Sequence, residues 1–385
     1  MTAMEMPGAI RARSFERRHQ IVRAAARDAG ADVLVAYGTG MHVFIASNPA
    51  WYLCGFRQMG PHMAVVLPVE GDPFILITPK WDLPRAKERS AISEIVASEP
   101  DEFFETLGRE LKQRGLMGKR FAVAQGEQTA SGVAAAWEPL LSAKPVAATK
   151  MVSDVARIRD EWALHCVSKA VTIAEDAYDW LLGEVRPGMW EHEVAAKLES
   201  QVRELGAEDN FQLMSSSQHN KSVHAPTRRV MAKGDLLLGE ITPSVQGEFV
   251  QICRTAVLGT PTAAQRESFA LLDHALKEGM RTATPGTPVD KVVAAIDAPI
   301  AAAGYERYTK PPYMRTRGHS MGMGSMDPEI AYNNGQVLEE GMVFVMHPNQ
   351  YLPHVGYMMC GEPVIITKNG AKPLTRRMGE LGSIL

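Results

Sequence analysis

The most informative part of this 385-residue chain is residues 234–259, which read GDLLLGEITPSVQGEFVQICRTAVLG. The runs 235–242 and 248–259 are rich in Leu, Ile and Val and are bounded by glycine, a pattern typical of β-strands. Glu240 and Gln251 stand within these runs, eleven residues apart. A lone carboxylate among apolar strands is expected to have a raised pKa unless it is paired, and such a group suits proton transfer.

The rest of the second half extends this pattern. Apolar runs over 342–348 and 361–367 predict two further strands. Helical spacing of apolar residues predicts four helices, over 153–185, 190–206, 262–282 and 288–303. Because helices and strands come in blocks rather than in alternation, we predict an α+β domain with a mainly antiparallel sheet.

In the first half of the chain the predicted strands and helices follow a different order. Strands are predicted over 31–37, 41–46, 63–68, 73–78 and 120–124, and helices over 14–29, 84–92 and 101–114. Strands that alternate with helices indicate an α/β domain. We place the two domains at residues 1–152 and 153–385.

Composition excludes several classes of protein. The 41 basic and 44 acidic residues give a formal net charge of -3, which offers no basic face for nucleic acid. No apolar run approaches the 18 or so residues of a membrane span, and no apolar stretch follows the charged N-terminus as in a secretory signal. Four widely spaced cysteines suit reduced thiols. We therefore expect a cytoplasmic protein.

Several phrases, in the same order and spacing over residues 14–370, resemble the pita-bread family of creatinase, prolidase, aminopeptidase P and methionine aminopeptidase. They are SNPAWYLCGF (47–56), RIRDEWALHCVSKAVTIAEDA (157–177), VRPGMWEHEVAAKLE (185–199), the 234–259 stretch, RGHSMGMG (317–324), LEEGMVFVMHPNQY (338–351) and GEPVIITKNG (361–370). The resemblance implies a creatinase/prolidase-like N-terminal domain followed by a pita-bread catalytic domain.

Peptidases of this family hold two divalent ions with two Asp, one His and two Glu. At the corresponding positions this chain has Glu240, Gln251, His319, His347 and Gly361. Four carboxylates are thus reduced to one, and two ions about 3.5–4 Å apart would repel each other with little compensation. We therefore do not expect a dinuclear metal site.

Creatinase is the family's precedent for catalysis without a metal. His224, in SSSQHNKSVHAP (215–226), matches the creatinase general acid/base His. The leading hypothesis is a metal-independent, creatinase-like hydrolase that cleaves a non-peptide C–N bond of a small polar metabolite, with no cofactor. His224 would move the proton, and Glu240, His319 and His347 would complete the catalytic group.

Other residues are candidates for binding the substrate. Gln251 would contact a substrate amide or carboxylate, and Arg57, His62, Tyr313 and Arg317 would contact an anionic group. Glu362 reaches the site only through a strand bulge, because it follows Gly361 and otherwise faces away. Cys253, at the position of a creatinase active-site Glu, is expected on the strand face opposite to Gln251.

Two alternatives remain open. A mononuclear metal hydrolase or lyase would use Glu240, His319 and His347, a ligand set common in zinc and non-haem iron sites. A non-catalytic binding module is the other, since the fold serves that purpose in some chromatin factors. The match of WYLCGFRQMG (51–60) to a creatinase loop that completes the partner's pocket implies a homodimer.

Overall fold

The computed structural model of the chain describes residues 7–40, 44, 46–125, 132–141, 143–322 and 327–385. Contacts divide the chain into two units: the first comprises the residues up to Trp162 together with Gly322, and the second comprises Ala163–Met321 and Asp327–Leu385.

The first unit contains a six-stranded sheet. Its strands are β1 (Val33–Gly38), β2 (Met63–Pro68), β3 (Phe74–Ile77), β4 (Ile95–Ala97), β5 (Phe121–Gln125) and β6 (Val146–Ala147), in the spatial order β4-β3-β2-β1-β5-β6. The pairs β1–β2 and β2–β3 are antiparallel, and the other three are parallel. Along β1, Leu34 and Ala36 belong to one hydrophobic core, while Val33 and Val35 belong to another. The sheet is therefore buried on both faces, which explains its continuous apolar runs.

Helices accompany this sheet, as an α/β domain requires. They are α1 (Pro7–Asp28), α2 (Pro49–Cys54), α3 (Leu83–Arg89), α4 (Phe103–Gln113), α5 (Gly132–Trp137) and α6 (Thr149–Ala156), with 3₁₀ helices at Lys80–Asp82, Pro100–Glu102 and Glu138–Leu140. The Asn48 side chain caps α2 by accepting a hydrogen bond from the Trp51 N–H, and Gly55 ends it at φ 66°. The strand predicted over 41–46 falls largely outside the described residues. The domain boundary predicted at 152/153 lies within α6, and the domain limits stay a prediction.

The second unit is built on antiparallel strands. They are β7 (Asp209–Ser217), β8 (Leu236–Val245), β9 (Glu248–Phe249), β10 (Ile252–Leu258), β11 (Gly318–Ser320), β12 (Val343–Met346), β13 (Gln350–Leu352), β14 (Gly356–Met358), β15 (Glu362–Thr367), β16 (Gly370–Pro373) and β17 (Gly382–Ile384). They form sheets in the orders β17-β10-β8-β7, with β9 against β8, and β11-β12-β15-β16, and the hairpin β13-β14. Only the β10–β17 pair among these described strands is parallel. The predicted α+β class and mainly antiparallel sheet are confirmed.

The helices of this unit are α7 (Glu161–Glu184), α8 (Glu191–Glu204), α9 (Ala263–Thr282) and α10 (Val289–Ile300), followed by a π-helical turn at Ala301–Tyr305 and a 3₁₀ helix at Glu306–Thr309. The single helix predicted over 153–185 is wrong, because the chain leaves the helix between α6 and α7. There the Asp160 carboxylate accepts two hydrogen bonds from the Arg18 guanidinium, at 2.6 and 3.0 Å, a tertiary contact that the local pattern does not reveal. Among the described residues, no helix has the length and apolarity to span a membrane.

Candidate functional site

Glu240 lies in the middle of β8, opposite Leu213 of β7 and Cys253 of β10. Its side chain is partly exposed, and its described hydrogen bond is a long one, 3.4 Å from Gln251 Nε2 to Glu240 Oε2. Burial raises the pKa of this carboxyl to about 7. At neutral pH it is therefore divided between its acid and base forms.

Gln251 precedes β10 and is only 2% exposed. Its amide nitrogen donates to Thr242 Oγ1 at 3.2 Å as well as to Glu240, and its Oε1 accepts from the Cys253 thiol at 3.8 Å. The expectation that Cys253 faces away from Gln251 is wrong, because residues two apart on a strand share a face. Gln251 thus orients the Glu240 carboxylate.

His319 on β11 and His347 just after β12 come together, with ring centroids 5.6 Å apart and planes at 70°. His319 Nδ1 donates to the Ser320 carbonyl at 3.0 Å, while the buried Nδ1 of His347 has no hydrogen-bond partner within the described part of the chain. Burial lowers the pKa of both imidazoles, for His347 to about 3, where the neighbouring His319 adds to the effect. Both rings are neutral at pH 7, and each keeps a nitrogen lone pair.

Gly361 occupies the position at which family peptidases have their last Glu. It pairs with Cys253, and a Cβ on Gly361 would lie 2.8 Å from the Cβ atoms of Cys253 and His347. Real Cβ atoms essentially never approach so closely. The backbone around the imidazole pair therefore leaves no room for a side chain at this position.

Glu362 does not join this group of residues. It is 1% exposed, and its carboxylate is paired with Arg254 Nη1 at 2.9 Å and accepts from Thr375 Oγ1 and the Gly379 N–H, both at 2.7 Å. No bulge turns it toward Gln251, and its charge is already compensated. The prediction that Glu362 contacts substrate is corrected to a buried structural ion pair.

Arg317 is likewise committed to the interior, with no exposed surface. Its guanidinium pairs with Asp297 at 2.7 Å and donates to the Asn349 carbonyl at 3.0 Å and to Gln350 Oε1 at 2.9 Å. The expected contact with an anionic substrate group is therefore corrected. The Arg317 carbonyl also accepts from the His347 N–H at 2.9 Å, so this residue positions both imidazole-bearing segments.

His224 lies in an exposed segment, where its Nδ1 donates to the Ala225 carbonyl at 2.7 Å. The described contacts do not bring its imidazole to Glu240. The segment is held by Glu191, the first residue of α8, which is fully buried. The Glu191 carboxylate accepts from the backbone N–H and hydroxyl of Ser216, both at 2.7 Å, and of Thr227, at 2.9 and 2.6 Å. Glu191 was not among the residues predicted from the sequence, where its position at a helix start was the only available signal.

Arg57 and His62 have partners within the first unit. Arg57 Nε donates to the Gly40 carbonyl at 2.9 Å, and His62 Nδ1 lies 2.6 Å from the Tyr37 hydroxyl. Burial lowers the pKa of His62. Their roles in substrate binding stay predictions. Tyr313 is partly exposed and stacks on Tyr351.

The donors at the five family positions do not fit a two-ion centre. They comprise one carboxylate, one amide, two imidazoles and a glycine that cannot be extended. The described residues also include no group of three His, Cys, Asp or Glu placed to hold an ion. The pair of neutral imidazoles, with the unpartnered Nδ1 of His347, is a donor set for one divalent ion at most.

Comparisons with known proteins give the family context. The chain matches the model of metallopeptidase family M24 over residues 165–368 and that of the creatinase/prolidase N-terminal domain over residues 18–159. An Xaa-Pro dipeptidase of Pyrococcus furiosus is 28% identical over 346 residues, which cover 88% of this chain and 94% of that protein.

Two solved structures share the fold over nearly their whole length. The prolidase from Pyrococcus horikoshii OT3 has a TM-score of 0.79 at 24% identity, with 95% of this chain and 99% of that chain covered. The dipeptidase PepE from Mycobacterium ulcerans has a TM-score of 0.79 at 23% identity, with coverages of 97% and 98%.

These relatives overturn three expectations. A hydrolase of non-peptide C–N bonds is wrong as the leading function, because the relatives are Xaa-Pro dipeptidases. The predicted enzyme class, a hydrolase acting on C–N bonds other than peptide bonds, is wrong for the same reason. The expected absence of a metal cofactor is also corrected, because the matched family is one of metallopeptidases.

The predicted resemblance itself is confirmed. One family model covers more than half of the chain, and the other covers most of the first unit. The chain therefore belongs to metallopeptidase family M24.

Proposed function

We propose that this chain is a hydrolase of short peptide substrates of the Xaa-Pro type. In this proposal Glu240 is the proton-transfer residue, and His319 and His347 are the donors for a single divalent ion. The names of the relatives support the substrate class. The observation that carries the proposal is the setting of Glu240, a partly exposed carboxylate whose described hydrogen bond is the long one from Gln251.

A carboxyl with a pKa near 7 can accept a proton from water and return it to the leaving nitrogen at neutral pH. Gln251 holds the carboxylate through Nε2 and is itself fixed by Thr242, so the acceptor oxygen has a defined direction. An ion bound by the imidazole pair would polarise a carbonyl group or lower the pKa of bound water.

The test is a panel of Xaa-Pro and Xaa-Ala dipeptides, assayed after chelation and with Mn²⁺, Co²⁺ or Zn²⁺ restored. Glu240→Gln should lower kcat by about 10²–10⁴-fold, the usual contribution of general acid–base catalysis. KM should change far less, because the lost interaction is made in the transition state. The matched control is Glu340→Gln, which removes an exposed carboxylate.

Two results would contradict the proposal in different ways. Normal kcat in Glu240→Gln would refute the role of Glu240. Absence of cleavage of every Xaa-Pro peptide under all metal conditions would refute the substrate class.

A cytoplasmic homodimer is part of the same proposal. Four buried free cysteines support a reducing compartment. The dimer rests on the resemblance of residues 51–60 to the creatinase loop that completes the partner's pocket. Sedimentation equilibrium at micromolar concentration would test the dimer, and a monomer would refute it.

A further inference from the structure

A cavity of about 240 Å³ lies in the second unit, beneath the C-terminal segment of the chain. Its walls come from three elements: Tyr178 and Leu182 of α7, Ile252 and Arg254 of β10, and residues 377–383 of the C-terminal segment. Side chains alternate along a strand, so those at 252 and 254 point away from the face that carries Gln251 and Cys253. The cavity is therefore separate from the group of residues around Glu240.

The C-terminal segment that covers this cavity is fixed on both sides of it. The Glu175 carboxylate of α7 accepts hydrogen bonds from the Arg376 N–H and from Arg376 Nε, at 3.0 Å each. Further along, β17 pairs in parallel with β10 over Ala256–Leu258. The cavity is thus a built feature of the fold, enclosed by elements that are bonded to each other.

Arg254 brings a positive charge to the inner wall. The residue is 4% exposed, and its described polar contacts all use one nitrogen, Nη1. This atom pairs with Glu362 at 2.9 Å and donates to the carbonyls of Gly361 at 2.7 Å and Cys253 at 3.2 Å. Within the described part of the chain, Nε and Nη2 have no hydrogen-bond partner. Since a guanidinium group carries five N–H donors, several of them stay available to an acceptor in the cavity.

Tyr178 offers a second unused donor at the same wall. Its ring centroid lies 5.9 Å from Arg254 Cζ, and its hydroxyl is buried without a hydrogen-bond partner among the described residues. Buried polar groups are normally bonded, because leaving one unpaired costs about 1–3 kcal/mol. A carboxylate bound beside Arg254 would accept a hydrogen bond from this hydroxyl and satisfy it.

The acidic residues that line the cavity differ in how their charge is compensated. Glu175 is paired with Arg376 at 3.0 Å, and Asp179 is paired with Arg377. Glu380 is exposed, and the residues that the structure describes include no ion-pair partner for it. The lining therefore combines spare N–H and O–H donors with one carboxylate that is free to bind a cation.

Four further residues of the lining are apolar: Leu182, Ile252, Met378 and Leu381. The volume of the cavity lies below the ~300–1,000 Å³ of sites for drug-sized ligands, so it suits a smaller molecule. A free amino acid is of that class. It carries a carboxylate for the spare donors and an ammonium group for the free carboxylate, and an aliphatic side chain would match the apolar lining.

We propose that this cavity binds a free α-amino acid with an apolar side chain. Arg254 and Tyr178 bind its carboxylate through charge-assisted hydrogen bonds, Glu380 binds its ammonium group, and the apolar lining covers its side chain. The inference goes beyond the proposed hydrolase function and does not depend on it, because the cavity and Glu240 lie on opposite faces of the sheet.

The test is isothermal titration calorimetry of the full-length protein with L-leucine and three analogues that each lack one part of it. Glycine lacks the apolar side chain, isocaproate lacks the ammonium group, and isopentylamine lacks the carboxylate. L-leucine should bind most tightly. Isopentylamine should bind about tenfold more weakly or worse, because it loses hydrogen bonds between charged groups.

Tyr178→Phe removes the unpartnered hydroxyl alone. It should weaken the binding of L-leucine by about tenfold, the usual contribution of a hydrogen bond to a charged group. The melting temperature of the variant without ligand should not fall, since this hydroxyl has no bond to lose. Lost binding in this variant therefore cannot be ascribed to misfolding.

Glu380→Gln should weaken the binding of L-leucine and leave that of isocaproate unchanged, because isocaproate has no ammonium group. Glu340→Gln, which removes another exposed carboxylate, is the matched control and should bind L-leucine as the wild type does. Glu240→Gln should also keep the affinity, which distinguishes the cavity from the proposed catalytic site.

Several results would overturn the inference. If isocaproate binds as tightly as L-leucine, the cavity is a site for anions; if isopentylamine does, it is a site for amines. Binding of L-leucine that survives both Tyr178→Phe and Glu380→Gln, or that Glu240→Gln abolishes, would place the ligand elsewhere. Absence of binding at millimolar L-leucine would refute the site itself.

Discussion

At the scale of single residues, burial of Glu240 raises its pKa into the range useful for proton transfer and lowers the stability of the folded protein near neutral pH. Its pKa rises from the ordinary 4.5 to about 7 on burial, so the unfolded chain ionises this group at a lower pH than the folded chain. Between pH 4.5 and 7 the unfolded state therefore binds fewer protons than the folded state. The folded protein loses stability over this window as the pH rises.

Glu240→Gln should remove this loss. One unit of pKa corresponds to about 1.4 kcal/mol, and because Glu240 is partly exposed we expect the variant to gain on the order of 1–2 kcal/mol at pH 8. At pH 4 the gain should vanish. Urea unfolding of the chelated protein at both pH values measures it, with Glu340→Gln as control. A difference that does not vary with pH would contradict the assigned pKa.

At Gly361 the chain lacks a metal-ligating side chain that family peptidases have, and the surrounding backbone leaves no room for one. A Cβ there would lie 2.8 Å from the Cβ atoms of Cys253 and His347, which are fixed by their own backbones. Gly361→Ala should therefore destabilise the fold by about 1–3 kcal/mol through overpacking. Gly239→Ala, in the neighbouring strand β8 with no atom within 4 Å, is the control. Equal melting temperatures for Gly361→Ala and the wild type would show that this backbone can yield.

At the scale of elements, the start of α8 holds the segment that carries His224. Four hydrogen bonds to the Glu191 carboxylate fix both ends of this segment, at Ser216 and Thr227. The amide of Glu191→Gln has one acceptor oxygen where the carboxylate has two, so buried donors lose their partner at a cost of about 1–3 kcal/mol.

Hydrogen exchange of residues 217–226 in Glu191→Gln should then be faster than in the wild type, while exchange in the β8–β10 pair stays slow. Glu193→Gln, which changes an exposed residue in the same helical turn, should leave both unchanged. If Glu191→Gln exchanges like the wild type, Glu191 does not order this segment.

The elements also show what sequence patterns can and cannot predict. Long apolar runs such as those of β8 and β10 were predicted, because strands buried on both faces carry nearly continuous apolar side chains. Strand β7 was missed, since its Ser215–Ser217 end has little intrinsic strand preference and is held by pairing with Leu236–Leu238. Arg317 was wrongly predicted as a substrate contact, because its ion-pair partner Asp297 lies twenty residues earlier in the chain. Only the tertiary structure brings the two side chains together.

At the scale of the whole molecule, the resemblance predicted the fold correctly, but the activity inferred from the missing carboxylates was wrong. The substitutions at Gln251, His347 and Gly361 argue against two ions; they do not argue against a peptidase or against one ion. The chain retains a proton-transfer candidate in Glu240 and a donor pair in His319 and His347. A family's ligand pattern thus limits how many ions are bound, whereas the reaction depends on the groups that remain.

The number of bound ions follows from charge. Two divalent ions about 4 Å apart repel by roughly 16 kcal/mol at an effective dielectric constant of 20, and Glu240 offers the single compensating carboxylate at the five positions. Native mass spectrometry after incubation with Mn²⁺ or Co²⁺ should therefore find no more than one ion per chain. His347→Asn and His319→Asn should each lose that ion. His354→Asn is the control and should keep it, because His354 is hydrogen-bonded to Ser268 and is not part of the imidazole pair. Two ions per chain would refute the charge argument. No bound ion at all would refute the role of the imidazole pair while leaving the proton-transfer role of Glu240 to be judged by its own variant.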